Sequence, residues 1–250
     1  LRGAEEDGEL ACLLPVWIKH APRNTRDQPI AGPPPALRRL PRSPEAAILA
    51  DGSGAGDGCI SAEDAMSSLA RFSLPQYELM VETGVFAGRF HQRVELIRGE
   101  IRQMNPIGHQ HATVVDYLTE WSFRAGRREK LVRIQHPILL PDSASAPEPD
   151  VVWAVRKRYT AHPLAADVLL LIEVADTTLH LDLGEKATLY AEAGIPEYWV
   201  VDIEGRRLLA HRQPAGGGYS DVRSFAGDDG VAPLSDPKAL LKGNDLFSML

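Results

Sequence analysis

The sequence has few cysteines and no long apolar segment. Its two cysteines, Cys12 and Cys59, lie far apart, and no Cys-x-x-Cys pair or Cys/His cluster with zinc-ligand spacing occurs. A disulfide-rich scaffold is therefore not implied, and a reducing cytoplasm is the simplest setting for the chain. The longest apolar run, Val168 to Ile172, is too short to cross a bilayer, so we expect no membrane partner.

An excess of positive charge and two common catalytic motifs are also missing. The net charge of −7 argues against a protein that coats nucleic acid by bulk electrostatics, although one basic groove remains compatible with it. The glycine-rich run over residues 52–58 lacks the Gly-Lys-Ser/Thr ending of a phosphate-binding loop. No Gly-x-Ser-x-Gly sequence is present, so serine hydrolase chemistry has no support.

The first 65 residues differ from the rest in composition. They hold eight of the nineteen prolines and a Gly/Asp-rich run at 51–58, and they sustain no helical or strand period. Such a composition buries too little apolar surface to offset the entropy of ordering, so we expect residues 1–65 to form a disordered extension and residues 66–250 one domain. One hypothesis makes Met66 the natural start; an intact mass of the natively expressed protein that matches the full chain would refute it.

Regular hydrophobic patterns begin near Phe72. Helical spacing and capping residues predict helices over 73–83, 111–123 and 182–193. Strand patterns occupy 94–97, 100–104, 131–140, 151–155, 168–174, 198–203 and 207–211. Strands outnumber helices, and one crossover helix lies between the strand that ends at Val174 and the strand that begins at Tyr198. This order predicts an α/β fold with a mixed central sheet flanked by helices.

Three residues in this pattern carry charge where burial is expected. Asp150 stands at the mouth of a buried strand, and Glu173 lies inside the apolar run that ends at Ala175. A buried, unpaired carboxylate is very unfavourable, so each acid needs a cation or a donor. Lys186 lies at the edge of the apolar stripe of its helix and can reach inward along the sheet.

Two carboxylates from adjacent strands with a nearby lysine suit phosphodiester hydrolysis. The acids can hold Mg²⁺ or Mn²⁺ through hard oxygen ligands, and the cation polarises the phosphate and lowers the pKa of a bound water. The lysine stabilises the developing negative charge or helps to position that water. Simpler roles are open for each residue: a turn cap for Asp150, a structural ion pair for Glu173, and a surface position for Lys186.

The chain resembles the PD-(D/E)XK nuclease superfamily in outline and, more specifically, the Uma-two family of restriction-endonuclease-like proteins. The similarity runs from about Leu74 to about His211, and its most specific block is Asp182 to Asp202. The matching residues are Val94-Glu-Leu-Ile-Arg-Gly-Glu-Ile101, Met104-Asn-Pro106, His111, Gln135, Pro149-Asp-Val-Val152, Leu171-Ile-Glu-Val-Ala175, Asp182, Lys186, Tyr190 and Gly194-Ile-Pro-Glu-Tyr-Trp-Val-Val-Asp202.

The resemblance implies a Mg²⁺- or Mn²⁺-dependent endonuclease acting on DNA, with Asp150 and Glu173 as metal ligands and Lys186 as the catalytic lysine. The superfamily's usual lysine lies two residues after the glutamate, where this chain has Ala175. Lys186, on the following helix, matches a lysine that takes over in this family. Glu95 matches a further acid of the family motif and would join the catalytic set as an added metal ligand or as a contact to a bound water, with Glu100 as the alternative. A homodimer would suit a double-strand cutter, but nothing in the sequence requires one.

Several further residues are candidates for supporting roles. Each has an alternative in packing or surface solvation: His111 as a helix-start residue, Gln135 as a backbone partner, and Tyr190 as a core residue whose hydroxyl turns toward the site. The basic stretch from residue 124 to 133 is a candidate for phosphate contact or a solvated face. Its main candidates are Arg124, Arg127 and Arg128.

Two other functions are compatible with these residues. The domain could keep the nuclease fold and bind nucleic acid or protein without turnover, which Mn²⁺ titration of the wild type and an Asp150 variant, combined with cleavage assays, would reveal. It could also hydrolyse a smaller phosphate ester, which a panel of nucleotides and model diesters would reveal.

Overall fold

The computed structural model describes residues 69–87, 93–126 and 129–250. The extension predicted at 1–65 lies outside these residues. The described strands are β1 (Val94–Ile97), β2 (Glu100–Gln103), β3 (Lys130–Ile134), β4 (Val151–Val155), β5 (Val168–Ala175), β6 (Glu197–Asp202), β7 (Arg207–Ala215), β8 (Gly218–Ala226), β9 (Gly230–Val231) and β10 (Leu241–Lys242). The helices are α1 (Leu74–Glu82), α2 (His109–Arg124), α3 (Leu179–Leu181), a π-helical segment (Asp182–Lys186), α4 (Ala187–Glu192) and α5 (Gly243–Phe247), with 3₁₀ turns at Pro141–Ser143 and Ala165–Asp167.

A six-stranded mixed sheet, in the order β3-β4-β5-β6-β7-β8, forms the centre of the domain. Only the β5–β6 pair among its neighbours is parallel. The crossover between these two strands runs through α3, the π-helical segment and α4. Parallel neighbours need such a long crossover, and this one brings a helix onto the sheet face beside β5.

Helices cover both faces of this sheet, as the sequence predicts. On one face, Trp153 and Trp199 pack against Trp121 of α2, and α5 extends the same apolar cluster. On the other face, Leu171 and its neighbours pack against α4. Because side chains alternate along a strand, β5 supplies apolar residues to both layers, which explains its unbroken apolar sequence.

Several sequence predictions differ from the structure at their boundaries. The strand predicted over 131–140 ends at Ile134, because Gln135 adopts a left-handed conformation with φ 49° and Pro137 follows it. The helix predicted over 182–193 begins earlier, at Leu179, and contains the π-helical segment. The hairpin strand β8 was not predicted. In contrast, the β1–β2 hairpin, with Gly99 at φ 80° in its turn, is confirmed.

No helix in the described ranges is long and apolar enough to cross a membrane.

Candidate active site

Asp150 and Glu173 lie side by side on the α4 face of the sheet. Strands β4 and β5 are antiparallel, and their register pairs Val151 with Ile172 and Val152 with Leu171. One further step along this register places Asp150 opposite Glu173, on the same face as Val152 and Leu171. Both acids are buried, with 7% and 4% of their surfaces exposed. The sheet thus brings together two acids that are distant in sequence.

Asp150 is held by three donors. Its Oδ2 accepts the backbone N–H of Val174 at 2.9 Å and lies 3.1 Å from His111 Nε2, while Oδ1 accepts Gln135 Nε2 at 3.2 Å. Burial raises the pKa of Asp150, but the bonds from His111, Val174 and Gln135 outweigh this and hold the pKa below its usual value. Asp150 is therefore an ionised carboxylate whose orientation is fixed by hydrogen bonds.

His111 reaches Asp150 from the first turn of α2, which begins at His109. Since the carboxylate only accepts, His111 Nε2 carries the proton in this bond. Burial lowers the pKa of His111, and the bond to Asp150 more than compensates and raises the pKa above its usual value. This contact gives His111 a direct link to the site in addition to its place at the helix start.

Glu173 accepts two bonds on one of its oxygens. Lys186 Nζ donates to Oε1 at 3.0 Å, and the Tyr190 hydroxyl donates to the same atom at 2.8 Å. Burial raises the pKa of Glu173 to about 8; Lys186 opposes this shift, and the carboxylates of Asp150, Asp182 and Glu95 add to it. The structural ion pair considered for Glu173 is therefore present, within a group of acids.

Lys186 ends the π-helical segment and contacts three carboxylates. Its Nζ lies 3.0 Å from Glu173, 3.7 Å from Glu95 and 3.9 Å from Asp182. Burial lowers the pKa of Lys186, but the attraction of these acids outweighs it and raises the pKa above the usual value, so the ammonium keeps its charge. Isolated π-helical turns are frequent at functional sites, and here the segment directs both of its ends, Asp182 and Lys186, into the cluster.

Two acids complete the cluster, and sequence reasoning selected only one of them. Glu95 of β1 is 8% exposed and approaches Lys186, whereas the alternative, Glu100, pairs with Arg71 and Arg102 outside the cluster. Asp182 is 2% exposed and accepts Thr178 Oγ1 at 2.6 Å. Asp182 was not singled out for the site, although its i, i+4 spacing from Lys186 was a usable signal.

Of the three arginines proposed for nucleic-acid contact, the structure describes one. Arg124 is exposed at the end of α2 and pairs with Glu120. It lies ~20 Å along the helix axis from His111, at 1.5 Å per residue, and so is remote from the acids. Arg127 and Arg128 lie outside the described residues.

The donor set fits a hard divalent cation held by few protein ligands. Within the described ranges, no group of three or more His, Cys, Asp or Glu side chains is arranged to hold a metal ion. Mg²⁺, however, commonly takes one or two carboxylates and completes its coordination with water and substrate oxygens. Asp150 and Glu173 supply such a pair, and both bonds to Glu173 end on Oε1. Three of the acids, Glu95, Glu173 and Asp182, also share one lysine, so carboxylates outnumber ammonium groups in this part of the cluster.

Comparisons with known proteins identify the fold and the family of the chain. A search of curated proteins finds no match. A solved structure, that of "a putative nuclease belonging to DUF820" from Anabaena variabilis, superposes with a TM-score of 0.55 at 14% sequence identity, over 71% of this chain and 98% of that one. This likeness shows a nuclease-like fold. The Uma2 family model, described as "Putative restriction endonuclease", matches residues 88–239, which include every residue of the acid cluster. That match spans more than half of the sequence, and the chain belongs to the Uma2 family.

Proposed function

We propose that the chain is a metal-dependent endonuclease that hydrolyses phosphodiester bonds in DNA. The family match and the nuclease-like fold support hydrolysis of nucleic acid. One observation supports metal dependence and phosphodiester cleavage in particular. Asp150 and Glu173 lie on one face of the sheet, and the Lys186 ammonium is 3.0 Å from Glu173.

Each residue of the cluster has a defined task in this proposal. Asp150 and Glu173 hold Mg²⁺ or Mn²⁺, and the bound cation supplies Lewis acidity toward the phosphate and makes water a stronger nucleophile at neutral pH. His111 and Gln135 fix the orientation of Asp150 through its two oxygens.

The remaining side chains orient Glu173 and Lys186, and Lys186 stabilises the negative charge that develops on the phosphate. Tyr190 fixes Oε1 of Glu173, and Glu95 approaches Lys186 from the hairpin. The protonated Lys186 ammonium stabilises negative charge on the phosphate as the bond breaks. Because the ammonium is already positioned before substrate binds, this stabilisation needs little rearrangement.

Plasmid nicking tests this proposal directly. Asp150→Asn and Glu173→Gln replace each carboxyl group with a neutral amide and keep the side-chain shape, so Mg²⁺- or Mn²⁺-dependent cleavage should fall by at least about 100-fold. Asp221→Asn makes the same chemical change on β8, where Asp221 pairs with Arg223, and should cleave like the wild type. Wild-type nicking by either cluster variant would refute the mechanism.

One observation favours a second candidate, a nuclease-fold module that binds nucleic acid or protein without turnover. Lys186 already occupies the space among Glu173, Glu95 and Asp182 and partly neutralises them. Calorimetric titration with Mn²⁺ separates the candidates when it is combined with cleavage assays on varied DNA and RNA. Nucleic-acid binding with no cleavage of any substrate would support the module, and Asp150-dependent Mn²⁺ binding with cleavage would support the nuclease.

A further inference from the structure

One half-buried arginine beside the acid cluster has no acidic partner among the residues that the structure describes. Arg133 lies on β3, the edge strand of the sheet, and its register partner is Val152. Directly opposed residues share a face, so Arg133 lies on the face that carries Asp150 and Glu173. Gln135, two residues later, donates to Asp150. Two residues of strand span ~7 Å, so Arg133 borders the site without belonging to it.

A histidine orients this arginine. The Arg133 NH2 group lies 3.1 Å from His162 Nδ1. A guanidinium only donates, so Nδ1 accepts and the neutral ring carries its proton on Nε2. Burial, and then the nearby charges of Arg133 and His136, lower the pKa of His162, in keeping with a neutral ring. His162 thus holds the guanidinium in place and leaves its charge uncompensated.

The remaining donors of Arg133 are not satisfied within the described ranges. Its Nε is buried and has no hydrogen-bond partner there, and no carboxylate of the described residues forms an ion pair with it. Arg93 and Arg102, which also lie near the cluster, pair with Glu148 and Glu185. A cation that is partly removed from water without a counter-ion is unfavourable, and an anion bound there would relieve this cost.

The other basic residues of the stretch that the structure describes, Arg124 and Lys130, already have acidic partners. Lys130 is buried, donates to the Ala125 carbonyl at 2.7 Å and pairs with Asp236 at 3.2 Å. Arg124 pairs with Glu120 at the far end of α2. Of the described members of the stretch, Arg133 is the one that combines the site face with an unpaired charge.

We propose that Arg133, oriented by His162, binds a backbone phosphate of the nucleic-acid strand next to the phosphate that is cleaved. The identity of this anion rests on the proposed function. Arginine suits the task because its planar fork matches phosphate oxygens with two parallel bonds. Such a contact positions the strand and does not read its sequence. Arg133 therefore fixes the register of the substrate along β3.

Binding measurements on the full chain test this subsite. Fluorescence anisotropy of a labelled DNA duplex, with Ca²⁺ replacing Mg²⁺ so that the strand stays intact, gives affinity as a function of salt. Arg133→Gln should weaken binding several-fold and reduce the salt slope by about one, the effect of one lost phosphate contact. Arg223→Gln removes the same charge on β8, at the opposite edge of the sheet, and should change neither quantity.

A second readout separates contact from folding. Duplexes in which one phosphate at a time is replaced by an uncharged methylphosphonate should bind the wild type less well at one linkage beside the cleaved one. Arg133→Gln should be insensitive to that replacement, and Arg133→Lys should recover part of the sensitivity. The scan on the wild type needs no variant, so it holds even if Arg133→Gln unfolds.

The outcomes distinguish the two proposals. Equal affinity and slope for Arg133→Gln and Arg223→Gln, or no sensitive linkage on the wild type, would overturn the subsite, and a wild type that still cleaves would leave the nuclease intact. An Arg133-dependent phosphate contact on a chain that cleaves nothing with Mg²⁺ or Mn²⁺ would overturn the nuclease, and with it the position of the subsite beside a cleaved phosphate, but would leave the phosphate contact of Arg133 intact. Failure of the wild type to bind DNA would overturn the subsite.

Discussion

Glu173 and Glu197 are buried glutamates on neighbouring parallel strands, with 4% and 0% of their surfaces exposed, yet their surroundings differ. Glu197 has a partner for each oxygen and one cation of its own. Its Oε1 accepts Arg212 and Trp199 Nε1 at 2.8 and 2.9 Å, and its Oε2 accepts the Leu234 N–H at 2.6 Å. This carboxylate ties the segment after β9 to the sheet.

Glu173 shares its single cation with other acids. Lys186 also approaches Glu95 and Asp182, and Asp150 lies opposite on β4. The Glu197 region is matched in charge and hydrogen bonds, whereas the Glu173 region carries a surplus of carboxylates. A buried acid with its own complete set of partners is typical of a structural ion pair, whereas buried acids that compete for one lysine are more typical of a functional site.

Replacing the cation of each region, Lys186 or Arg212, gives the largest expected difference in cleavage rate and stability between the two regions. Lys186→Met removes the shared cation, so cleavage should fall by about 100-fold or more. Arg212→Met strands the Glu197 charge in the interior, so the free energy of unfolding should fall by about 3–5 kcal/mol, with unchanged activity per folded molecule. Cleavage assays and urea unfolding measure both; normal stability of Arg212→Met with impaired cleavage would reverse the assignment of the two regions.

Replacing each glutamate in turn compares the two regions by their free energy of unfolding alone. Glu197→Gln leaves Arg212, which is 16% exposed, without its charge partner, and should cost about 3 kcal/mol of unfolding free energy. Glu173→Gln relieves repulsion among the acids and can still accept the Tyr190 hydroxyl, so its unfolding free energy should stay within about 1 kcal/mol of the wild type. Comparable losses in urea unfolding would mean that both acids are structural.

Removing one hydroxyl should have a smaller effect. Tyr190→Phe deletes the bond to Glu173 Oε1, and a bond to a charged group corresponds to roughly 10-fold in rate. Tyr219→Phe is the matched control, since its hydroxyl donates to the Ile195 carbonyl and not to the cluster. Steady-state cleavage at saturating Mg²⁺ measures both; identical rates for the two variants would remove Tyr190 from the site.

The smallest expected effect is on the pH dependence of stability, through His211 on β7. His211 pairs in register with Tyr198, packs against Tyr198 and Tyr219, and has a buried Nδ1 with no partner among the described residues. Burial lowers its pKa below 6.5, so the unfolded chain binds the proton more tightly. His211 therefore adds stability above pH 6.5 that is lost as the pH falls through its folded pKa. His211→Gln should flatten this acid limb in thermal unfolding, and an unchanged limb would contradict the assignment.

The sequence predicted much of the site because three of its residues break local patterns. Glu173 interrupts an apolar strand, Asp150 precedes one, and Lys186 lies at the edge of an apolar helical stripe. Periodicity assigns such residues to a face, and the resemblance to a nuclease family suggested how they combine. The roles of these residues stay predictions.

Other features could not be predicted because they depend on contacts between distant segments. The π-helical segment at Asp182–Lys186 is one such feature, since a regular 100° spacing assumes an unbroken α-helix. The strand β8 is polar and largely exposed, without the alternation that marks a half-buried strand. The lack of an acidic partner for Arg133 is a property of the folded edge, where His162 comes from a separate loop.

An anomalous difference map from crystals soaked in Mn²⁺ shows whether Asp150 and Glu173 hold one divalent cation. We expect one peak between the two carboxylates in the wild type, and its loss in Asp150→Asn crystals that retain the fold. A wild-type crystal under saturating Mn²⁺ with no peak there, or a peak that persists in the variant crystals, would refute this shared cation site.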